Sequence, residues 1–442
     1  MLYLKSLEVE NVRCFGNKQQ VDFTDERGNI SQWTVILGDN GSGKTTLLRS
    51  IVSLLPTPQS FFGKRTDSDA EYDLSIYNEW RNAWDLKHKN GELNSKLTLI
   101  VAECTEPFQN IEVEEPLLYT LNHKESNRDN YFQATHFSTK NLSPVFCFAY
   151  GANRKMAEKS LSGDNFNNTG DTLFIDNALL QNSSEYFLRL DYETAKSRKG
   201  SDELNRVKEL LLKVLPEGVQ DIQVVKTGKL QREVQAKTAF GWVNLNDLGL
   251  GYKTAIAWLI DFATKMIFYY EKSETPFDEP AILILDEIDL HMHPAWQRGI
   301  IENLTKIFTK TQFIVTAHSP LIAQAALNSK LVLLKRADDH VKVINEPDII
   351  KDWRIDQILT SDLFGIKSAR SKETEIKLER RKKLLKKISL NREEENELEL
   401  LNKEIYSMPV GDTKEEINAM SILRNFTEKL EAAKKENDYD QD

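Results

Sequence analysis

The chain has 442 residues, a formal net charge of -10 at pH 7, 40% hydrophobic residues and 29% charged residues. This length allows several domains, and the composition excludes a collagen-like, low-complexity or wholly disordered chain. The negative charge opposes binding to nucleic acid and to anionic membranes, so any contact with DNA requires a local patch or a partner.

Cysteine usage and the N-terminal residues both indicate a reducing compartment. The three cysteines, Cys14, Cys104 and Cys147, lie far apart without a CxxC pair, which fits neither a disulfide framework nor a zinc site. Glu8 and Glu10 interrupt the stretch in which a signal peptide would need an apolar run. We therefore predict a cytoplasmic protein without membrane insertion.

Apolar patterning at the start of the chain predicts strands followed by a helix. Three apolar runs predict strands at residues 4–9, 21–23 and 33–37. A glycine-rich loop follows the third run, and the next residues, LLRSIVSLL, have helical spacing. Residues 56–141 are polar and uneven, with possible strands at 97–102 and 116–121. We predict that they form a lobe inserted beside the core sheet.

The second half of the chain alternates strands with helices. The predicted strands are residues 145–150, 222–225, 233–236, 242–245, 281–286 and 312–318, and the predicted helical stretches are 183–215, 254–270 and 294–308. This order predicts an α/β sheet domain assembled from both ends of the chain. The predicted domains are 1–55 and 142–345 for the sheet domain, 56–141 for the lobe and 346–442 for a helical C-terminal region.

The C-terminal region begins with a highly charged segment. Between Ser371 and Ser407, 19 of 37 residues are charged, and a basic block precedes an acidic one. Ser389 and Asn391 lie between the blocks and suit the end of one helix and the start of another. We predict a helical hairpin that pairs the two blocks; a single solvated helix or a frayed tail is the alternative.

Apolar residues at helical spacing run through this charged segment. They are Leu384, Leu385, Ile388, Leu398, Leu401 and Ile405. Such residues must be buried within the hairpin, against the sheet domain or against another subunit. We therefore predict that the segment serves self-assembly or partner binding.

The loop after the third strand has the pattern G-x-x-x-x-G-K-[ST]. It comprises Gly38, Asp39, Asn40, Gly41, Ser42, Gly43, Lys44 and Thr45, followed by Thr46. Glycines let successive backbone N–H groups turn inward around phosphate oxygens at a helix N-terminus. Lys44 is then predicted to pair with the β- and γ-phosphates of a nucleotide, and Thr45 to ligate Mg²⁺.

Two later strands end on residues suited to phosphate chemistry. Asp286 and Glu287 follow the apolar run AILIL. Asp286 is predicted to hold Mg²⁺ through water, and Glu287 to orient the attacking water as the catalytic carboxylate. His318 ends the next strand, and we predict that it reaches the γ-phosphate; a polar strand cap is the alternative.

Taken in order, these motifs resemble one ATPase family. The stretches NVRCFG, GDNGSGKTT, ILILDEIDLHMHP and FIVTAHSP are similar to the heads of ABC-type ATPases of the RecF, SMC and OLD group, over about residues 1–340. The resemblance implies a P-loop mixed sheet flanked by helices, with ATP and Mg²⁺ as cofactors. It also implies two heads that meet face to face, each holding ATP against the signature motif of the other.

The resemblance also implies roles for residues outside the glycine loop. It places the signature at Leu248, Gly249 and Gly251, before the long apolar helix. The family commonly has serine where this chain has Gly249, so the hydroxyl contact with the γ-phosphate is missing and the ATPase rate stays open. Arg13 is implied to touch the nucleotide, and a surface or ion-paired arginine is the alternative.

Further residues near these motifs carry weaker signals. Arg154 follows the 145–150 strand and is predicted to approach phosphate, with the same alternative as for Arg13. No glutamine is recognised for the Q-loop of the family. His291 and His293 have the spacing of a metal pair, but packing at a dimer interface is favoured.

The function of such ATPase heads depends on the domains and subunits attached to them. No nuclease constellation is recognised in the chain, so we expect no nuclease activity of its own. Residues 353–366 and 408–426 resemble PtuA-like ATPase subunits of Septu and retron antiphage systems. That resemblance implies a homo-oligomer that controls a separate HNH-type nuclease, with DNA contact only through the complex. A RecF-like DNA-repair ATPase and a scaffold that binds ATP with little hydrolysis are the alternatives.

Overall fold

The computed structural model describes residues 1–55, 94–104, 106–109, 117–125, 130–136, 146–157, 170–194, 198–215, 218–228, 231–326, 328–345, 353–387, 389–406, 408 and 422–423. The chain divides into two compact units, Met1–Gly365 and Ile366–Asp442. All of the nucleotide motifs predicted above lie in the first unit.

The secondary structure follows the predicted order. The strands are β1 (Leu2–Glu10), β2 (Gln19–Asp22), β3 (Trp33–Gly38), β4 (Asn94–Glu103), β5 (Leu117–Glu125), β6 (Asn130–His136), β7 (Cys147–Tyr150), β8 (Lys155–Met156), β9 (Leu179–Leu180), β10 (Asp221–Lys226), β11 (Arg232–Thr238), β12 (Gly241–Asn244), β13 (Ala281–Leu285), β14 (Thr311–Ala317), β15 (Lys330–Ala337) and β16 (His340–Ile344). The helices are α1 (Lys44–Leu54), α2 (Asp171–Phe174), α3 (Ser183–Thr194), α4 (Arg198–Val214), α5 (Leu250–Tyr269), α6 (Pro294–Ile307), α7 (Pro320–Ala325), α8 (Ile355–Thr360), α9 (Lys372–Leu385) and α10 (Arg392–Tyr406).

A six-stranded mixed sheet forms the centre of the first unit. Its strand order is β16-β15-β3-β14-β13-β7, and only the β15–β16 pair is antiparallel. Successive residues of each central strand enter different cores: Leu283 and Leu285 pack on one face of the sheet, whereas Ile282 and Ile284 pack on the other. Burial on both faces explains why these strands are uninterrupted apolar runs. The predicted α/β class, a mixed sheet flanked by helices, is confirmed.

A second, antiparallel sheet has the order β2-β1-β4-β5-β6. Strand β4 pairs with β1 along its length, so part of the segment predicted as an inserted lobe continues a sheet that begins at the N-terminus. Buried Gln312 on β14 links the two sheets, because its amide accepts from Leu4 N (2.8 Å) and donates to Leu4 O (2.9 Å). These bonds give the Leu4 N–H and carbonyl hydrogen-bond partners at the point where the β1–β4 register shifts.

The register of the central sheet brings the predicted motifs to one edge. Leu37 at the end of β3 lies beside Ala317 at the end of β14. In the same way, Leu285 at the end of β13 lies beside Val315 and Tyr150. Because parallel strands end at the same edge, the glycine loop, the Asp-Glu pair and the residues after β7 and β14 are neighbours there.

The second unit contains the helical hairpin predicted from charge segregation. Arg380 of α9 forms a bidentate ion pair with Glu397 of α10, in which Nε donates to Oε1 (2.8 Å) and Nη2 donates to Oε2 (2.7 Å). Lys377 lies 2.9 Å from Glu404, and Leu384 is fully buried. The predicted hairpin is therefore confirmed, and the alternative of a single solvated helix is wrong. Ile388, one of the apolar residues predicted to be buried, lies outside the described residues. Among the helices that the structure describes, none is long and apolar enough to cross a membrane.

Candidate functional site

The glycine loop turns from β3 into α1, which begins at Lys44. Gly41 and Gly43 have φ of 77° and 88°, in the left-handed region that favours glycine. A Cβ on Gly43 would lie 2.5 Å from Cys14 Sγ and 3.0 Å from the Phe15 ring, whereas one on Gly41 would meet nothing within 4 Å. The N-terminal segment therefore packs directly against the loop at Gly43.

This difference predicts unequal costs for two alanine substitutions in one loop. Gly41→Ala should lower the free energy of unfolding by about 1–2 kcal/mol, because only the left-handed backbone is strained. Gly43→Ala should cost a further 1–3 kcal/mol or so, because its methyl group also overlaps Cys14 and Phe15. Urea unfolding of both variants measures the difference, and equal losses would contradict the close contact.

Lys44 lies inside the loop. Its ammonium donates to Gly38 O (2.6 Å) and Asp39 O (2.9 Å). Burial lowers the Lys44 pKa, and the nearby carboxylates of Asp286 and Glu287 oppose that shift. A phosphate in the loop would supply the negative partner that favours the charged form. The loop also contains the buried Ser42 Oγ, which has no hydrogen-bond partner among the described residues.

Asp286 connects the loop with the central strands. Thr45 Oγ1 donates to Asp286 Oδ2 (2.6 Å), and Thr316 Oγ1 of β14 donates to Asp286 Oδ1 (2.5 Å). A hydroxyl and a carboxylate at the phosphate loop are hard oxygen donors, which suit Mg²⁺. Mg²⁺ usually takes one or two protein ligands together with phosphate and water, so Thr45 and Asp286 fit it. Within the described ranges, no group of three or more His, Cys, Asp or Glu side chains could hold a metal by itself.

Glu287 and His318 are the next two residues of the site, and their side chains face each other. Glu287 Oε1 lies 3.9 Å from His318 Nε2, and each side chain is 33% exposed. The His318 backbone N–H donates to Asp289 Oδ2 (3.0 Å). Glu287 has φ of 49°, a left-handed conformation that is uncommon for a non-glycine residue. The structure thus places a solvent-accessible carboxylate and an imidazole at the edge where the strands end.

The predicted signature lies at the start of α5. Gly249 is the N-cap of the helix, while Leu248 is buried beneath it. Leu250, the first helical residue, is 56% exposed. The backbone of Gly251 approaches His291 so closely that a Cβ would lie 2.2 Å from His291 O. The helix N-terminus is therefore open to solvent, and its first turn is fixed against the segment after β13.

Other predicted site residues lie around the loop. Asp39 and Asn40 are exposed, and Thr46 is half-buried. Arg13 is half-buried with φ of 51°. Its charge contributes to lowering the pKa of Arg49 of α1, after the larger effect of burial. The nucleotide contact of Arg13 stays a prediction.

Arg154 is 1% exposed, so it is not a surface arginine. Its approach to a phosphate stays a prediction. Its guanidinium donates to the carbonyl oxygens of Gly151, Asp286 and Glu287. Burial lowers the Arg154 pKa to about 10 against the opposing carboxylates, so it stays charged at neutral pH. The arginine's partners are main-chain atoms brought together by the fold.

Two histidines and one threonine also lie near these motifs, and the packing of His291 and His293 at a dimer interface stays a prediction. His293 is the N-cap of α6, where its Nδ1 accepts from Ala295 N (3.3 Å). His291 is exposed with φ of 61°, next to Gly251. Thr316, which bonds Asp286, was not predicted as a site residue. The only available signal was a hydroxyl residue two positions before His318 on a buried strand.

Comparisons with known proteins find similarity to ATPases. A model described as "AAA ATPase domain" matches residues 2–197, and one described as "AAA domain, putative AbiEii toxin, Type IV TA system" matches residues 162–323. The Septu protein PtuA of Bacillus mycoides (strain KBAB4) is 25% identical over 82% of this chain and 45% of its own length. The Retron Ec83 probable ATPase of Escherichia coli is 35% identical over 25% of this chain and 20% of its own length.

These matches cover less than half of either curated relative. Among solved structures, the SMC head domain from Thermotoga maritima covers 78% of this chain and 99% of its own, with 14% identity and a TM-score of 0.40. The chain is therefore similar to AAA ATPase domains and to proteins named as Septu PtuA and retron ATPases.

Proposed function

We propose that this chain binds and hydrolyses ATP with Mg²⁺. The observation that carries the proposal is the hydrogen bond between Thr45 Oγ1 and Asp286 Oδ2, at 2.6 Å across 241 positions of sequence. It joins the end of the phosphate loop to a carboxylate delivered by a separate strand. Lys44 lies in the same loop and Glu287 follows Asp286, so the four side chains supply phosphate binding, metal ligands and a base.

Each residue has a separate task in this proposal. The loop N–H groups and Lys44 hold the β- and γ-phosphates. Thr45 and Asp286 would hold Mg²⁺, which when bound neutralises developing charge on the phosphate oxygens. Glu287 accepts a proton from the attacking water, and His318, which lies 3.9 Å from Glu287, is proposed to contact the γ-phosphate. Phosphate release from ATP by the purified chain, measured with and without Mg²⁺, tests this proposal.

We further propose that two heads associate around ATP. The exposed N-terminus of α5 supports this, because Gly249 and Leu250 offer backbone N–H groups to a phosphate held by a second molecule. Gly249 has no side chain to add a hydroxyl contact, so the association depends on the backbone and on the helix dipole.

The names of the relatives support a place in antiphage defence. Septu protein PtuA and the retron ATPase are the proteins to which the chain is similar, and the motifs resemble the same family. We propose a regulatory ATPase subunit that controls a separate HNH-type nuclease and contacts DNA only through the complex. A cytoplasmic location and the absence of intrinsic nuclease activity stay predictions. Incubating the purified chain with DNA and Mg²⁺ tests the latter.

The C-terminal unit is the proposed assembly or partner surface. Deleting residues 366–442, the second compact unit, should leave ATP affinity within about threefold of wild type, because all of the predicted phosphate and metal residues precede it. The mass in solution should fall, or the partner should no longer copurify. Light scattering after size-exclusion chromatography, together with copurification, measures both. A truncated chain that keeps its full mass and its partner would place the assembly surface elsewhere.

A further inference from the structure

The backbone from Asp286 to Ile288 is held mostly by other elements. Asp286 N donates to Tyr150 O (2.8 Å), and Ile288 N donates to Thr316 O (2.9 Å). Glu287 N donates to Thr316 Oγ1 (2.7 Å). The carbonyl oxygens of Asp286 and Glu287 both accept from Arg154, and the Glu287 carbonyl also accepts from Leu290 N (3.1 Å) in the local turn. The segment is therefore fixed from β7, from β14 and from the loop after β7.

Arg154 connects the Asp286 and Glu287 carbonyls to the loop after β7. One of its terminal nitrogens donates to Asp286 O (2.5 Å) and Gly151 O (2.9 Å), and the other donates to Glu287 O (2.8 Å). The planar guanidinium reaches the three carbonyls from two terminal nitrogens in a fixed fork, whereas a lysine would offer a single nitrogen in their place. Gly151 is itself held, because its N–H donates to Thr172 Oγ1 (3.1 Å).

Two features of this arrangement carry a cost for folding. A buried guanidinium loses its hydration, and no carboxylate bonds it directly in the part of the chain that the structure describes. The left-handed φ of 49° at Glu287 is a strained backbone conformation for a non-glycine residue. Strained backbone held in this way is characteristic of functional sites, where the surrounding structure determines one conformation.

We infer that Arg154 is a positioning residue for Glu287: its guanidinium holds the Asp286 and Glu287 carbonyls so that the Glu287 carboxylate stays beside His318 at the phosphate loop. The inference rests on the proposed hydrolysis, in which Glu287 is the base. Arg154 is 1% exposed, and its described hydrogen-bond partners are main-chain carbonyls, so it acts on the reaction through the segment that it holds. Its loss should therefore lower the rate of hydrolysis and leave ATP affinity unchanged.

The test compares Arg154→Lys and Arg154→Gln with wild type in the full-length chain. Both variants should reduce kcat by about 10–100-fold, because a displacement of the base by about 1 Å is enough for such a loss. The dissociation constant for a fluorescent ATP analogue should stay within about threefold, because Lys44 and the loop are untouched. Arg232→Lys is the matched control, since Arg232 is an exposed arginine that pairs with Asp191, and its kcat should equal that of wild type.

A double-mutant cycle separates positioning from a general structural effect. In a Glu287→Gln background, adding Arg154→Lys should lower the residual rate less than twofold, because the residue through which Arg154 acts is already lost. An equal loss in both backgrounds would overturn the inference, as would wild-type kcat in Arg154→Lys. Weakened ATP binding like that expected for Lys44→Ala would instead make Arg154 a phosphate contact.

Hydrogen exchange provides a readout that does not need activity. The amides of Glu287 and Ile288 are bonded to Thr316, and they should exchange at least about tenfold faster in Arg154→Lys than in wild type. Amides of β11, which pair with β10 and β12, should exchange equally in both proteins. If wild type releases no phosphate, the proposed hydrolysis is wrong, and unchanged exchange at Glu287 and Ile288 would separately overturn the role of Arg154.

Discussion

Replacing Glu287 with glutamine is expected to lower the rate of phosphate release by about 10²–10⁴-fold, the contribution typical of a positioned general base. Glutamine keeps the size of the side chain and the backbone bonds to Thr316 and Arg154. ATP affinity should therefore stay within about threefold, because Lys44 and Thr45 are unchanged. Single-turnover hydrolysis and titration with a fluorescent ATP analogue measure the two quantities.

The same variant should accumulate the ATP-bound, associated state. If association of two heads requires the γ-phosphate, slower hydrolysis prolongs the associated state, and light scattering with ATP should show a larger associated fraction than for wild type. Glu302→Gln is the matched control, since Glu302 is an exposed residue of α6 paired with Lys306. Hydrolysis at the wild-type rate in Glu287→Gln would mean that another group activates water.

Lys44→Ala is expected to weaken ATP binding by about 10–100-fold or more. A hydrogen bond to a charged group contributes about 1.5–3 kcal/mol, and each 1.4 kcal/mol or so changes affinity tenfold. Calorimetric titration with ATP and Mg²⁺ measures the loss. Lys306→Ala, which removes an exposed lysine from α6, should bind like wild type.

Without nucleotide, Lys44→Ala should have nearly the stability of wild type, because two changes oppose each other. The variant loses the hydrogen bonds to Gly38 O and Asp39 O, but it also removes a charge that burial disfavours, since burial lowers the Lys44 pKa in the folded chain. Thermal unfolding should show a similar midpoint without ATP, and a smaller increase than in wild type when ATP is added. A folded Lys44→Ala variant with wild-type affinity would disprove the assignment of the phosphate loop.

The local sequence was sufficient to predict the features that are formed by residues close together in the chain. The loop from Gly38 to Thr45 is recognisable because left-handed φ angles require glycine at fixed spacing around a phosphate. Strands β13 and β14 are recognisable because burial on both faces demands an unbroken apolar run. The hairpin was predictable as well, since segregated charge on two helices is paired when the chain reverses.

Only the tertiary structure decided which distant residues meet these motifs. Arg154 followed a buried strand in the sequence and was predicted to approach phosphate, yet it bonds the backbone of Asp286 and Glu287. Thr316 and Gln312 read only as polar residues within an apolar strand, but they hold Asp286 and β1. Periodicity reports which face of an element is buried and not which backbone atoms lie across from it. Those partners depend on sheet order and register, which hydrogen bonds between distant strands determine when the whole chain packs.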